Sequence, residues 1–160
     1  MSTVKDPTFM MGRLKLELFD ADGNVKLSRE IPNMVMNAGR QWLTERMIGV
    51  AAPGDVVMSH MGVGSNNAAL AQSQTDLQTH ITPKVALTSG LQATENATDD
   101  AIEYICTFGP GVCDGTIEEA AIFNNGTAAT GVMLCRTLTG TITKGASDTL
   151  IVTWRVIVAQ

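Results

Sequence analysis

The side chains of this 160-residue chain that could bind a metal or move a proton are two histidines, three cysteines and sixteen acids. His60 and His80 stand twenty residues apart and read as having no carboxylate or cysteine partner nearby, so a structural or solvent-facing role is expected for both rather than metal ligation. Glu118–Glu119 and Asp99–Asp100 are adjacent pairs. Neighbours in an extended chain point to opposite faces, so the glutamates cannot share a site as an acid/base dyad. Cys106 and Cys113 flank the turn FGPGV and could approach each other, leaving Cys135 over. An odd count argues against a disulfide framework, and free thiols are expected. Cys106 and Cys135 fall in strand patterns, where a buried thiol serves as a small hydrophobe. The glycines of GPGVCDG, at 109, 111 and 115, miss the dinucleotide-loop spacing by one residue, and no helix follows. MGVGSNNA has Gly62 and Gly64 after a strand but neither a lysine nor a third glycine, so phosphate binding is not expected there. Nothing brings a nucleophile, a base and an oxyanion hole together. The residues therefore predict a non-enzymatic protein with no catalytic residue, no cofactor and no metal.

Composition narrows the partners. Hydrophobic residues make up 44% of the chain and charged residues 17%, which suggests a surface partly covered by something other than water, or one made soluble by hydroxyls and amides. The net charge is −5 and no basic stripe is present, which argues against nucleic acid as a partner. No apolar run approaches the roughly 18–20 residues that span a bilayer. MSTVKDPTFMMGR has no apolar signal-peptide core, so folding in a reducing cytoplasm is expected.

The elements that must position these residues are mostly strands. RLKLELFDADGNVKLSREI reads as a hairpin: Leu14, Leu16 and Leu18 alternate with Lys15, Glu17 and Phe19, and DADGN tolerates the positive φ of a tight turn. One helix is expected near 37–49, with Asn37 as N-cap, an apolar stripe of Ala38, Trp42, Leu43 and Met47, Glu45 and Arg46 facing water, and Gly49 at its end. A strand precedes the glycines at 62 and 64, and NNAALAQSQTDLQTH is weakly periodic, a loop with at most one helical turn. Strands are expected near 84–93, 101–108, 116–124, 131–143 and 148–159, separated by turn clusters. Many short strands with one helix predict a mainly β fold, an antiparallel β-sandwich or jelly-roll-like domain over 12–160, behind an N-terminal arm over 1–11. Repeats, heptads and Gly-X-Y runs are absent, so no fibrous shaft is expected.

The order of these stretches resembles a family of small virion structural proteins of tailed bacteriophages. In that family a hairpin precedes N-x-[VI]-x-N-x-G and a helix, matched by NMVMNAGRQWL. An x-G-x-G strand and a polar loop follow, matched by MGVGSNNA and the looser TDLQTH, and then a basic residue opens a strand, here KVALTSG. The more specific motifs come last: IEEAAIFNN, GVMLCRT and ITKGASDTLIVTW. The resemblance runs over about residues 12–159. Ala121 stands where the family pattern has glycine, and the cysteines lie outside the pattern. The resemblance implies a protein of the virion, made in the bacterial host cytoplasm. The expected role is a capsid decoration, or cement, protein on the capsid surface, a homo-oligomer bound to the major capsid protein. The alternative is a tail-fibre, collar or baseplate accessory protein bound to tail or baseplate proteins.

Within the motifs, KGASDT is a polar turn in which Gly145 can take positive φ and Asp148 can accept from the backbone. Arg136 is either a surface charge or the partner of Glu119 on a neighbouring strand, the second being preferred. Trp154, on a uniformly apolar strand face, is expected in the core rather than at a contact. Phe9, Met10 and Met11 are the candidate partner-binding residues, an apolar cluster in the arm that either tethers the protein or packs on its own domain as an extra edge strand. A depolymerase would need paired carboxylates across a groove and aromatics to stack on sugars. Aromatics are 4% of the chain and no such pair is visible, which leaves decoration or tail structure as the expected class.

Overall fold

A computed structural model describes residues 10–47, 57–95 and 98–158. In chain order the elements are β1 (Met10–Phe19), β2 (Val25–Pro32), β3 (Met34–Val35), α1 (Asn37–Met47), β4 (His60–Gly64), β5 (His80–Ala86), β6 (Ser89–Ala93), β7 (Ala101–Phe108), β8 (Gly115–Phe123), β9 (Met133–Lys144) and β10 (Thr149–Val158). They form two five-stranded sheets, ordered β2-β1-β10-β7-β6 and β3-β9-β8-β4-β5, with every pairing antiparallel. The expected mainly β architecture with one short helix is what the chain adopts.

The alternation of apolar residues fixes which face of each strand turns inward. In the β1–β10 register Leu14 pairs with Trp154, Leu16 with Val152 and Leu18 with Leu150, and all six side chains are buried. One residue out of step, Arg13 faces Arg155 and Lys15 faces Thr153 on the outer surface. β7 continues the inner layer with Tyr104, Cys106 and Phe108. The second sheet supplies Met61, Val63, Ala120, Ile122, Cys135 and Ile142 to the same core. Each such aliphatic or aromatic side chain contributes roughly 1.5–3 kcal/mol by leaving water. A shift of one residue in any strand would turn its inner set outward.

The expected strand at 84–93 is two strands in different sheets. β5 lies in the second sheet and β6 in the first, and Leu87 and Thr88 carry the chain across. The Leu87 N–H donates to the Ser59 carbonyl at 2.9 Å and the Thr88 N–H to the Ile105 carbonyl at 2.7 Å. Extended backbone persists through this corner, so sequence alternation alone cannot mark it.

The helix differs from its sequence reading in three respects. The Met36 carbonyl accepts the first helical bond, from the Arg40 N–H at 3.1 Å, so Met36 holds the cap position and Asn37 the first helical one. Asn37 is exposed, and its N–H is satisfied by the Gln72 carbonyl at 2.9 Å rather than left for a capping side chain. Met47 is 70% exposed, whereas Trp42 and Leu43 are half-buried against the core. Arg46 lies over the Trp42 ring, 4.9 Å from its centroid, rather than reaching only into water. The helix lies tight against the sheet at Gly39, where a Cβ would stand 2.6 Å from the Leu134 carbonyl oxygen. Leu134 sits at an irregularity of β9, between the pairs Ile122–Cys135 and Phe123–Met133, and its carbonyl accepts the Met36 N–H at 3.0 Å. A small residue against a strand bulge positions this helix, rather than a long apolar stripe. The terminating role given to Gly49 falls outside the described residues.

The arm boundary also moves. Met10 and Met11 pair with Val158 and Ile157 as the first rungs of β1, so the strand begins two residues before the expected domain start. Met11 remains 47% exposed, and Phe9 lies outside the described residues.

Candidate functional site

Around β4 and the second half of β8 the second sheet is buried on both faces, and the reason begins with two glycines. In the β4–β8 register Gly62 is opposite Ala121 and Gly64 opposite Glu119, so both glycines share the outer face with Glu119. A Cβ at Gly62 would touch Leu77 Cδ1 at 3.0 Å, and one at Gly64 would overlap the Thr79 carbonyl oxygen and the Glu119 carboxylate. The missing side chains let the segment 65–79 lie directly on this face. Leu77 then joins Met36, Ala121, Phe123 and Met133 in a second, smaller apolar cluster.

Beneath that segment Glu119 and Arg136 form an ion pair with both side chains fully buried. Glu119 pairs across the strands with Leu138 and Ala121 with Arg136, so the two charged residues are diagonal neighbours on one face. Arg136 Nε and Nη2 lie 2.8 and 2.7 Å from Glu119 Oε2. The remaining valences go to the overlying segment. Arg136 Nη1 donates to Gln74 Oε1 at 2.8 Å and Nη2 to the Ala68 carbonyl at 3.3 Å. The N–H groups of Gln78 and Thr79 donate to Glu119 Oε2 and Oε1 at 3.1 and 2.9 Å. Two ions out of water are costly to bury, and the pair tolerates it because almost every polar group is met. Through the guanidinium and two backbone amides, Glu119 holds the loop in place.

A second loop, 124–132, meets the same face. Lys84 is buried; its Nζ donates to the Thr130 carbonyl at 2.8 Å and lies 3.5 Å from the centroid of the Phe123 ring. Burial holds its ammonium pKa below the ordinary 10.5, partly offset by the Asp76 carboxylate. Asn124 Oδ1 accepts the Val132 N–H at 2.7 Å, closing the loop. His80 does have a carboxylate partner: Nε2 is 2.8 Å from Asp76 Oδ1, four residues earlier, and the ring tilts against Phe123 at 6.2 Å. The sequence reading missed this because the segment is not helical, and only its folding back brings the two side chains together. His60 Nδ1 lies 2.8 Å from its neighbour Ser59 Oγ, and burial, with Lys84 nearby, lowers its pKa from 6.5.

The other end of the sandwich is tied by the turn after β9. Asp148 Oδ2 accepts the Gly145 N–H at 2.8 Å and Lys26 Nζ at 2.6 Å, and the Asp148 N–H returns to the Gly145 carbonyl at 3.0 Å. The Lys26 hydrogen bond, followed by that of Gly145, holds the Asp148 carboxyl below its ordinary 3.8. Gly145 does not take the positive φ expected of it; Gly111, at 74°, whose N–H donates to the Ala146 carbonyl, and Gly140, at 62°, where the β8–β9 register shifts, do. Lys144 is buried, its Nζ 2.7 Å from Asp114 Oδ1 and 2.9 Å from the Gly109 carbonyl. Trp154 is fully buried in the core.

The three cysteines are free and buried. Cys106 donates to the Val85 and Ala86 carbonyls at 3.7 Å, and Cys113 to those of Ile81 and Pro83 at 3.4 and 3.2 Å, so both thiols hang from β5 instead of pairing. Burial pushes the Cys106 thiol up to about 12, the Cys113 thiol up to about 11, and the Cys135 thiol higher again. Among the described residues no group of three or more His, Cys, Asp or Glu side chains could hold a metal ion, and no described helix is long and apolar enough to cross a membrane.

The structure therefore brings together Glu119 and Arg136, and leaves Asn37, Asp148, Trp154 and the pair Met10–Met11 at separate places. Sequence reasoning named Gly62, Gly64 and the lysine of KVALTSG, Lys84, only as parts of motifs; it missed what they do, and missed Gln74 and the covering role of 65–79. One signal was present: two glycines two apart in a strand leave a single face bare, which implies close approach by another segment. Comparison with protein-family models, curated proteins and solved structures finds no match.

Proposed function

We propose that this chain is a non-enzymatic structural protein of a tailed-bacteriophage particle. Within that class we propose a capsid decoration protein that binds the major capsid protein as a homo-oligomer and stabilises the outer shell. One observation carries the reading. Separate motifs of the resemblance converge on one node: Gly64 of MGVGSNNA, Gln78 and Thr79 around TDLQTH, Glu119 of IEEAAIFNN and Arg136 of GVMLCRT. Residues that recur for a reason of construction should meet, and these meet to fix a loop in one shape. A fixed loop face suits a protein that adds rigid surface to a lattice, because little ordering entropy remains to be lost on binding.

The test is to mix the purified protein with empty phage shells lacking their decoration and count bound copies per particle. Decoration predicts saturation at a symmetry-set number in the hundreds, and a raised temperature of shell disruption. A few copies confined to the tail vertex would support a collar, fibre or baseplate role instead. No binding to any particle component would remove the virion reading.

A further inference from the structure

The loop 124–132 carries the one Asn-Gly pair of the chain, Asn125–Gly126. Without a Cβ, glycine leaves its main-chain nitrogen open to the side-chain amide of the residue before it. The fold adds further conditions. Gly126 abuts the imidazole of His60: a Cβ at 126 would stand 2.6 Å from Nε2 and 2.9 Å from Cδ2. Its φ is not left-handed, so the ring, and not the backbone, is what excludes a side chain there. Asn125 Oδ1 accepts the Thr127 N–H at 2.7 Å, an Asx turn that folds the amide back over its own peptide. Thr130 Oγ1 stands 3.2 Å from the same oxygen and 3.0 Å from the Thr127 carbonyl, so its one proton serves either. Asn125 is exposed, and water reaches it.

We propose that Asn125 is a self-modification site, converted through a succinimide to aspartate and isoaspartate with the His60 imidazole as base. The Gly126 nitrogen attacks Asn125 Cγ, and its proton passes to His60 Nε2. The C–N bond of the side-chain amide then breaks, and ammonia departs with the proton the imidazole returns. Water opens the five-membered ring at either carbonyl. The sum is one water consumed and one ammonia released. The step acts once, on its own chain, so it goes beyond the structural role proposed above without making the protein an enzyme.

Each group stands where the step requires it. His60 Nδ1 is 2.8 Å from Ser59 Oγ; with the ring proton on Nδ1 and donated to that hydroxyl, the Nε2 lone pair is left on the side of Gly126. Among the described residues neither Nε2 nor the Gly126 N–H has another hydrogen-bond partner. Burial, with Lys84 nearby, keeps the ring neutral, and so basic, at neutral pH. The Thr127 N–H donates to the oxygen that gains negative charge as Cγ becomes tetrahedral, as an oxyanion donor does. The products disturb the loop. A carboxylate replaces an amide, and isoaspartate lengthens the main chain by a methylene. There is little room for it, since a Cβ at Gly131 would stand 2.7 Å from Asn125 Cβ. The Thr130 carbonyl that holds Lys84 belongs to the same loop.

The experiment incubates the full chain at physiological temperature and follows position 125 by peptide mass spectrometry, with electron-transfer fragmentation to separate aspartate from isoaspartate. The folded protein should convert about tenfold faster than the same chain held unfolded in urea, where only the Asn-Gly sequence acts. Both products should appear. His60→Gln should slow conversion of the folded protein by about tenfold or more. The wild-type rate should rise with pH as the imidazole loses its proton and then level, where a hydroxide-driven reaction keeps climbing. Lys84 is the charged group acting on that ring, beside the Ser59 hydroxyl, so Lys84→Met should move the rise to higher pH. Folded conversion no faster than unfolded overturns the proposal, because the loop then shelters the pair. So does an undiminished rate in His60→Gln, a rate that follows hydroxide throughout, or aspartate as the sole product. Should His60→Gln melt lower than wild type, the urea comparison and the wild-type pH profile decide by themselves.

Discussion

Arg136 and Glu119 show what a charge needs in order to be buried. Removing one partner leaves the other in the interior, a change that costs about 3–5 kcal/mol in comparable pairs. Arg136→Ala or Glu119→Ala should accordingly lower the melting temperature by roughly 6–20 °C in a chain of this size. Arg136→Lys should not restore it, because an ammonium cannot serve Glu119, Gln74 and Ala68 from one planar fork. Thermal unfolding followed by circular dichroism decides both. The thiols give a second expectation at this scale. Held protonated and out of water, Cys106, Cys113 and Cys135 should resist alkylation in the native protein and react together only on unfolding, as mass spectrometry of iodoacetamide-treated samples would show. The third concerns acid. Asp148 and Asp20 both have lowered carboxyl pKa values, Asp148 first through Lys26 and Asp20 first through the Asn24 backbone N–H. A lowered folded pKa means the unfolded state binds the proton more readily, so this stability is present above about pH 4 and is lost as pH falls through the folded values. Asp148→Asn should flatten the acid limb of a stability–pH curve and leave its neutral limb parallel to wild type.

For the elements, the loop 65–79 owes its place to what a strand lacks. Gly64→Ala puts a methyl group where the Thr79 carbonyl and the Glu119 carboxylate already stand, so the loop must lift or the ion pair must shift. Faster amide exchange confined to 65–79, with the β1–β10–β7 sheet unaffected, is the expected result of hydrogen-exchange mass spectrometry. Gly62→Ala should do less, because the atom in its way is the far end of the Leu77 side chain, at 3.0 Å. The hairpin, β7 and β10 were legible from alternation, since each has a core on one side to enforce a period of two, and β8 and β9, which run through consecutive buried residues, from the turn clusters that bound them. The corner between β5 and β6, the true cap of α1 and the exposure of Met47 were not. Each depends on which distant backbone accepts a hydrogen bond or blocks an approach, as Leu134 does for Gly39 and Gln72 for Asn37.

Taken whole, the molecule bears on how it would attach to a shell. Met10 and Met11 belong to β1, so a truncation beginning at Gly12 removes two rungs with Val158 and Ile157 and mixes folding with binding. A truncation beginning at Met10 separates them. If residues 1–9 supply the tether, that protein should melt as wild type does and bind empty shells at least tenfold more weakly, since arms presented together gain roughly 10²–10⁴-fold in effective concentration. Undiminished binding places the contact on the domain, and the loop face over Glu119 becomes the next surface to mutate.

What the sequence determined by itself was the period of its strands and the positions of its main turns. These are local properties, written in neighbours and in spacings of two. What only the tertiary structure decided was which strands share a sheet, where the chain crosses between sheets, and what covers the second sheet. The Glu119–Arg136 pairing lay between. Its residues were visible as an option, but whether two charges seventeen positions apart meet or face water depends on register, and whether they are buried depends on a loop forty or more residues away from either of them in the chain. Burial is a property of everything packed around a residue, and no spacing along the chain encodes it.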